Sequence, residues 1–97
     1  MGEIKWKNGD IFKGKFVDDQ LVEGSITKKD GLHKEGKFID QELHGIGKLV
    51  KQSGEYQIGE WENGKRLGEH KVYAKEGNQR GYASYINDKL IKLVEIL

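Results

Sequence analysis

The apolar positions of this chain come in short alternations rather than in long periodic runs. In Phe12-Lys13-Gly14-Lys15-Phe16, a spacing of two puts Phe12, Gly14 and Phe16 on one side of an extended segment, with Ile11, Lys13 and Lys15 on the other. The spacing returns in Lys34-Glu35-Gly36-Lys37-Phe38 and Gln57-Ile58-Gly59-Glu60-Trp61, and, slipped by one, in Gly81-Tyr82-Ala83-Ser84-Tyr85. Turn pairs precede each copy: Asn8-Gly9, Asp30-Gly31, Ser53-Gly54 and Glu76-Gly77, whose glycines stand 22, 23 and 23 residues apart. A second set follows each copy, at Asp18-Asp19, Asp40-Gln41, Asn63-Gly64 and Asn87-Asp88. Glycines and turn pairs interrupt the chain too often for helices. Asn-Gly and Asp-Gly suit the type I′ turn of a two-residue hairpin, which needs positive φ at both central positions.

Each copy therefore predicts one β-hairpin, and the chain an all-β fold: a single-layer, twisted antiparallel sheet of consecutive hairpins. The repeats run over about 2–24, 25–47, 48–70 and 71–88 within a unit spanning 1–88, and residues 89–97 form an amphipathic cap. The inward row begins with Ile4, Trp6, Phe12, Gly14 and Phe16 and ends with His70, Val72, Ala74, Gly81, Ala83 and Tyr85. Between large residues a glycine leaves a slot for a ring from a neighbouring strand, which lets a one-layer sheet bury aromatics against its own backbone.

The outer face is polar in the first half. From residue 46 it gains Ile46, Val50, Tyr56, Ile58, Tyr73, Tyr82 and Ile86, which call for a cover. The C-terminal segment is the candidate. With Asn87 or Asp88 as N-cap, a helix would gather Ile86, Leu90, Leu93, Val94 and Leu97 on one side. A short helix folded over the outer face is the favoured form, and a final strand paired with the sheet the rival.

Trp6-Lys7-Asn8-Gly9-Asp10-Ile11-Phe12-Lys13-Gly14-Lys15-Phe16 resembles the MORN (membrane occupation and recognition nexus) repeat, as does Gly59-Glu60-Trp61-Glu62-Asn63-Gly64-Lys65-Arg66-Leu67-Gly68. The resemblance covers roughly residues 2–88. It implies a curved sheet used for binding or scaffolding, with partners laid along an aromatic concave face, and relatives proposed to contact phospholipid head groups. It implies no catalysis. It also gives His44, before Gly45, a turn-shaping role. The motif's first aromatic stands only as Phe12, against Lys34, Gln57 and Gly81 in later copies, so the groove is expected to be aromatic at its N-terminal end and more polar and basic in the middle.

Composition narrows the function. Seventeen Lys and Arg against 16 Asp and Glu give a net charge of +1 in 97 residues, which lacks the basic footprint of a nucleic-acid binder. There is no Cys, hence no disulfide, thiolate nucleophile or cysteine metal site. His33, His44 and His70 do not share a metal-ligand spacing, and Gly45-Ile46-Gly47 lacks the further glycine and helix of a nucleotide loop. No enzyme activity, cofactor or metal is expected, and a cytoplasmic location is.

The expectation is a protein-binding module, acting as adaptor, scaffold or inhibitor and gripping a helix or extended segment through Trp6, Phe12, Phe16, Phe38, Leu49, Trp61, His70 and Tyr85. Aromatic residues are prominent among interface hot spots. Two alternatives accompany it. Lys13, Lys15, Lys28, Lys37 and Lys48 offer contact with a membrane surface or an acidic partner, though interspersed carboxylates weaken the first. Residues 89–97 offer a homodimer seam.

Overall fold

The computed structural model describes residues 2–96. Nine strands form one antiparallel sheet in strict chain order. They are β1 (Gly2–Lys5), β2 (Ile11–Val17), β3 (Gln20–Thr27), β4 (His33–Ile39), β5 (Glu42–Val50), β6 (Tyr56–Glu62), β7 (Lys65–Tyr73), β8 (Gln79–Ile86) and β9 (Lys89–Glu95). The architecture is the one that the alternation predicts.

The two sets of turns differ in kind. At the tight turns both central residues take positive φ: Asp18 and Asp19, Asp40 and Gln41, Asn63 and Gly64, Asn87 and Asp88. Type I′ geometry therefore sits where Asp and Asn occupy left-handed positions. The Asn8-Gly9 set is not type I′, which corrects that expectation. Only its glycines have positive φ, 99° at Gly9 and 97° at Gly31, and the glycine N–H donates to the carbonyl three residues back, Gly9 to Trp6 (3.0 Å) and Gly31 to Lys28 (2.9 Å). This is a three-residue connection of type I turn and glycine bulge. Successive copies stack, with the Lys29 side chain against Gly9, Gln52 against Gly31 and Lys75 against Gly54.

Register builds the core. Gly2, Gly14, Gly24, Gly36, Gly47 and Gly59 lie opposite one another as a single row down the inner face. At Gly14 and Gly24 the backbones approach so closely that a Cβ on either would run into the opposing carbonyl, of Glu23 or Lys13. At Gly59 the open space is filled by the His70 ring. Phe12, Leu21, Ile26, Phe38, Leu43 and Trp61 form the buried cluster, with Ile4, Phe16 and Leu49 packed against it. With no second layer in this single sheet, only its curling can bury these side chains, so the inner face is the concave one.

Leu21 and Leu43 are absent from the inward row read from the alternation. Register shifts explain Leu21: Glu23 faces Lys15 but Leu21 faces Phe16, which leaves Val22 as an extra residue and turns Leu21 inward. In β5 a larger shift sets Leu43 opposite Phe38. The slip in the last repeat is likewise absorbed by a shift, with Val72 facing Gly81 and Tyr73 facing Gln79.

The C-terminal segment is the strand, not the helix. The Asn87-Asp88 turn reverses the chain as the other tight turns do, and β9 pairs with β8 from Lys89 to Glu95. Repeat register and the open edge of β8 outweigh the helical spacing of Leu90, Leu93 and Val94. The outer face is therefore not covered by it, and Ile46 and Ile86 remain exposed at 69% and 64%. Tyr56 and Tyr73 stack on each other instead, centroids 4.8 Å apart, with the Lys48 ammonium over Tyr56. Of the cap assigned to 89–97, Leu97 lies outside the described residues, as does Met1 of the first unit.

Candidate functional site

The inner face divides the expected binding residues into two groups. Phe12, Phe38, Trp61, His70 and Tyr85 are buried by the sheet itself, with exposures of 6%, 3%, 5%, 0% and 5%. Their rings serve the core. Trp6, in contrast, is 46% exposed and meets Phe12 edge-on at 5.4 Å between centroids. Phe16 and Leu49 are half-buried at the margin of the cluster.

Three hollows follow one another along the concave face. The first, about 590 Å³, is lined by Trp6, Lys7, Asn8, Phe12, Lys28 and Gln41. The second, about 180 Å³, is lined by Lys34, Leu43, Leu49, Trp61 and the Arg66–Asp88 pair. The third, about 350 Å³, lies between the last strands, with Val72, Ala83, Tyr85, Leu90 and Leu93 as its apolar lining.

Buried Asp10 anchors the first hollow. It accepts from the Lys29 backbone N–H (2.9 Å), the Lys28 ammonium (3.3 Å) and the Asn8 amide (3.2 Å). The Lys29 N–H above all, then Lys28, hold its carboxyl below the usual range against the opposing effect of burial. The alternation gave no signal for Asp10. It stands after the turn glycine, where an acceptor for the next repeat's turn is needed, and only the stacking of turns reveals that need.

Polar groups organise the far end. His70 packs edge-on between Trp61 (5.2 Å) and Tyr85 (5.3 Å). Its Nε2 donates to the Glu60 carbonyl at 2.9 Å, and its buried Nδ1 has no hydrogen-bond partner among the described residues. Burial pushes its pKa below the usual histidine value, because a second ring proton would place an uncompensated charge in the core. The Tyr85 hydroxyl donates to Gln57 Oε1 (3.2 Å) and accepts from Arg66 (3.2 Å), whose guanidinium also lies 4.2 Å from the Tyr85 ring centre. Arg66 Nε donates to Asp88 Oδ1 at 2.6 Å. Burial raises the Asp88 pKa, but the Arg66 hydrogen bonds outweigh it and the net shift is downward.

The expected lysine surface is split. Lys13, Lys15, Lys37 and Lys48 lie on the outer face, whereas Lys28 lines the concave side. Outer lysines alternate with carboxylates across the strands: Lys15 faces Glu23, which faces Lys37, and Glu35 faces Lys48. Opposite charges so placed close no ion pair among the described residues, but their alternation offsets the field that an anionic surface would sense. His33 is tied to Thr27 (2.7 Å) and Glu35 (2.9 Å) on that face.

Among the described residues no group of three or more acidic or histidine side chains is gathered to hold a metal ion, and no helix is long and apolar enough to cross a membrane. No protein-family model matches the chain, and a comparison with curated proteins finds no match.

Proposed function

We propose that this chain is a non-catalytic protein-binding module of the MORN-like kind, an adaptor, scaffold or inhibitor that holds a segment of another protein along its concave face in the cytoplasm. One observation carries the reading. The concave face, with most of its rings buried in the core, leaves Trp6 and three successive hollows open to solvent. An exposed indole at the edge of a preformed hollow suits the anchor of a protein interface. The test is affinity capture from the host's own proteins, wild type beside a Trp6→Ser, Leu49→Ser variant of unchanged circular dichroism. A partner retained by wild type and lost by the variant is the expected result. A partner held equally by both overturns the reading.

A second reading, self-association, is supported by β9. Leu90, Ile91, Leu93, Val94 and Ile96 are exposed there at 41–59%, and β9 borders no further strand among the described residues. Light scattering of an Ile91→Lys, Val94→Lys variant checks it. A fall to half the wild-type mass is expected, and an unchanged mass overturns it.

A further inference from the structure

The two faces treat charge differently. On the outer face lysines and carboxylates oppose each other across the strands, as Lys15, Glu23 and Lys37 do. On the concave face one strand position, Lys34 in β4, carries a cation with no opposing carboxylate, and Lys7 and Lys28 lie in the connections β1–β2 and β3–β4 on the same side. Lys34 stands between Ile26 and Leu49 and, among the described residues, makes no ion pair. Lys28 touches Asp10, but with three donors and 42% side-chain exposure it keeps capacity for another acceptor. Lys7 joins it on the rim of the first hollow. Asp10 is the one carboxylate lining that hollow, and the second hollow's Asp88 is engaged by Arg66.

The third hollow is different. Lys51 and Arg80 there are matched by Glu55 and Glu95, and its floor is aliphatic and aromatic. The concave face is thus polarised along its length, cationic beside Trp6 and Lys34 and apolar with balanced charge beside Leu90 and Leu93.

We propose that the partner segment is an acidic polypeptide stretch adjoining apolar side chains. Its carboxylates lie over Lys7, Lys28 and Lys34, and its apolar end sits in the hollow between Val72, Tyr85 and Leu93. This rests on the protein-binding reading above and adds the partner's chemistry and direction. The complementarity is between cations with donors to spare in a concave, partly apolar site and an acidic chain narrow enough to enter it. A lipid bilayer is flat and meets the outer face first, where the charges cancel.

The experiment uses the whole chain and three labelled ten-residue peptides: five Glu followed by Leu-Phe-Leu-Phe-Leu, the same with Gln for Glu, and the same with Lys for Glu. Fluorescence anisotropy gives affinity and amide NMR shifts give location. The acidic peptide is expected to bind tightest and to shift amides around Trp6, Lys34 and Leu93. Its affinity should fall roughly tenfold in a Lys7→Glu, Lys34→Glu variant and in half-molar salt. A milder Lys34→Gln variant, with its NMR spectrum otherwise preserved, guards against loss of fold and should show a smaller drop. If the Gln peptide binds as tightly at the same amides, the acidic assignment fails while the concave binding site stands. Tightest binding of the Lys peptide, or shifts confined to Lys13, Lys15 and Lys37, also overturns it. If no peptide moves a concave-face amide at millimolar concentration, both the assignment and the binding reading fail. Phosphatidylserine vesicles that bind with those same outer-face shifts would put a membrane in the partner's place.

Discussion

From Phe12 to Leu43 the strands fill the concave face with side chains that need only close neighbours: Phe12, Leu21, Ile26, Phe38 and Leu43 around a row of glycines. From Gln57 to Asp88 the same backbone positions hold groups that need particular partners. Tyr85 stands where Phe16 and Phe38 stand, but its hydroxyl is tied to Gln57 and Arg66. Arg66, opposite Trp61, occupies the place that Leu43 takes opposite Phe38. One repeating fold is therefore stabilised in two ways, by apolar burial in the first half and by a hydrogen-bonded network around a neutral histidine in the second. Apolar burial tolerates changes of pH, whereas the network does not.

The largest effect should come from the backbone contact on which the apolar half is built. Gly24→Val places a branched side chain against the Lys13 carbonyl at a φ of 144°. Strain and overpacking each cost about 1–3 kcal/mol, enough together to unfold much of a domain of ordinary stability. Loss of the cooperative urea transition is the expected readout. Retention of a wild-type midpoint would mean that the strands can separate there at little cost.

Next is Leu43→Ala, at 1% exposure. It should lower stability by about 2–5 kcal/mol, measured by urea unfolding, because removed methyl groups leave a cavity at the centre of the cluster. A loss under about 1 kcal/mol would imply that the first half repacks freely.

The third prediction separates the halves by pH. His70 holds its proton less readily when folded than when unfolded, so protons favour the unfolded chain. Its contribution is complete above the unfolded value of 6.5 and is lost as pH falls from there toward its lowered folded value. Amide protection factors in β7 and β8, taken relative to the intrinsic exchange rate at each pH, should fall on acidification through that window before those in β2 to β4 do, and His70→Phe should remove the difference. Asp10 and Asp88 act only below 3.8, in both halves. A uniform fall in protection along the sheet would contradict the division.

The smallest effect belongs to the outer face. Lys15→Ala leaves Glu23 with Lys37 as its cross-strand neighbour and should cost no more than about 0.5 kcal/mol by thermal melting. A larger loss would give the outer charges a structural weight that the concave core does not leave them.

Much of this fold was legible because the repeat states itself in glycines and aromatics. Phe12, Phe38 and Trp61 face inward as their spacing predicts. The bulges were not legible, since nothing near Val22 announces an extra residue, and so Leu21 was not assigned to the core. At the C-terminus the sequence supports two periods at once, that of a helix in Leu90, Leu93 and Val94 and that of a returning strand after Asn87-Asp88. Tertiary pairing with β8 decides between them. For the site, type and face were readable, but exposure was not. That Trp6 is open while Trp61 is closed depends on where the sheet curls over its own glycines.

Among the described residues every strand of this sheet pairs along its backbone only with its neighbours in the chain. No distant segment must find its partner before pairing can begin, so folding can start at any hairpin and spread outward one strand at a time. Melting should run the same course in reverse, fraying from β1 and β9 inward. The central hairpins then act as the seed, and a partner that clasps several of them at once would set how quickly the array opens as well as what it holds.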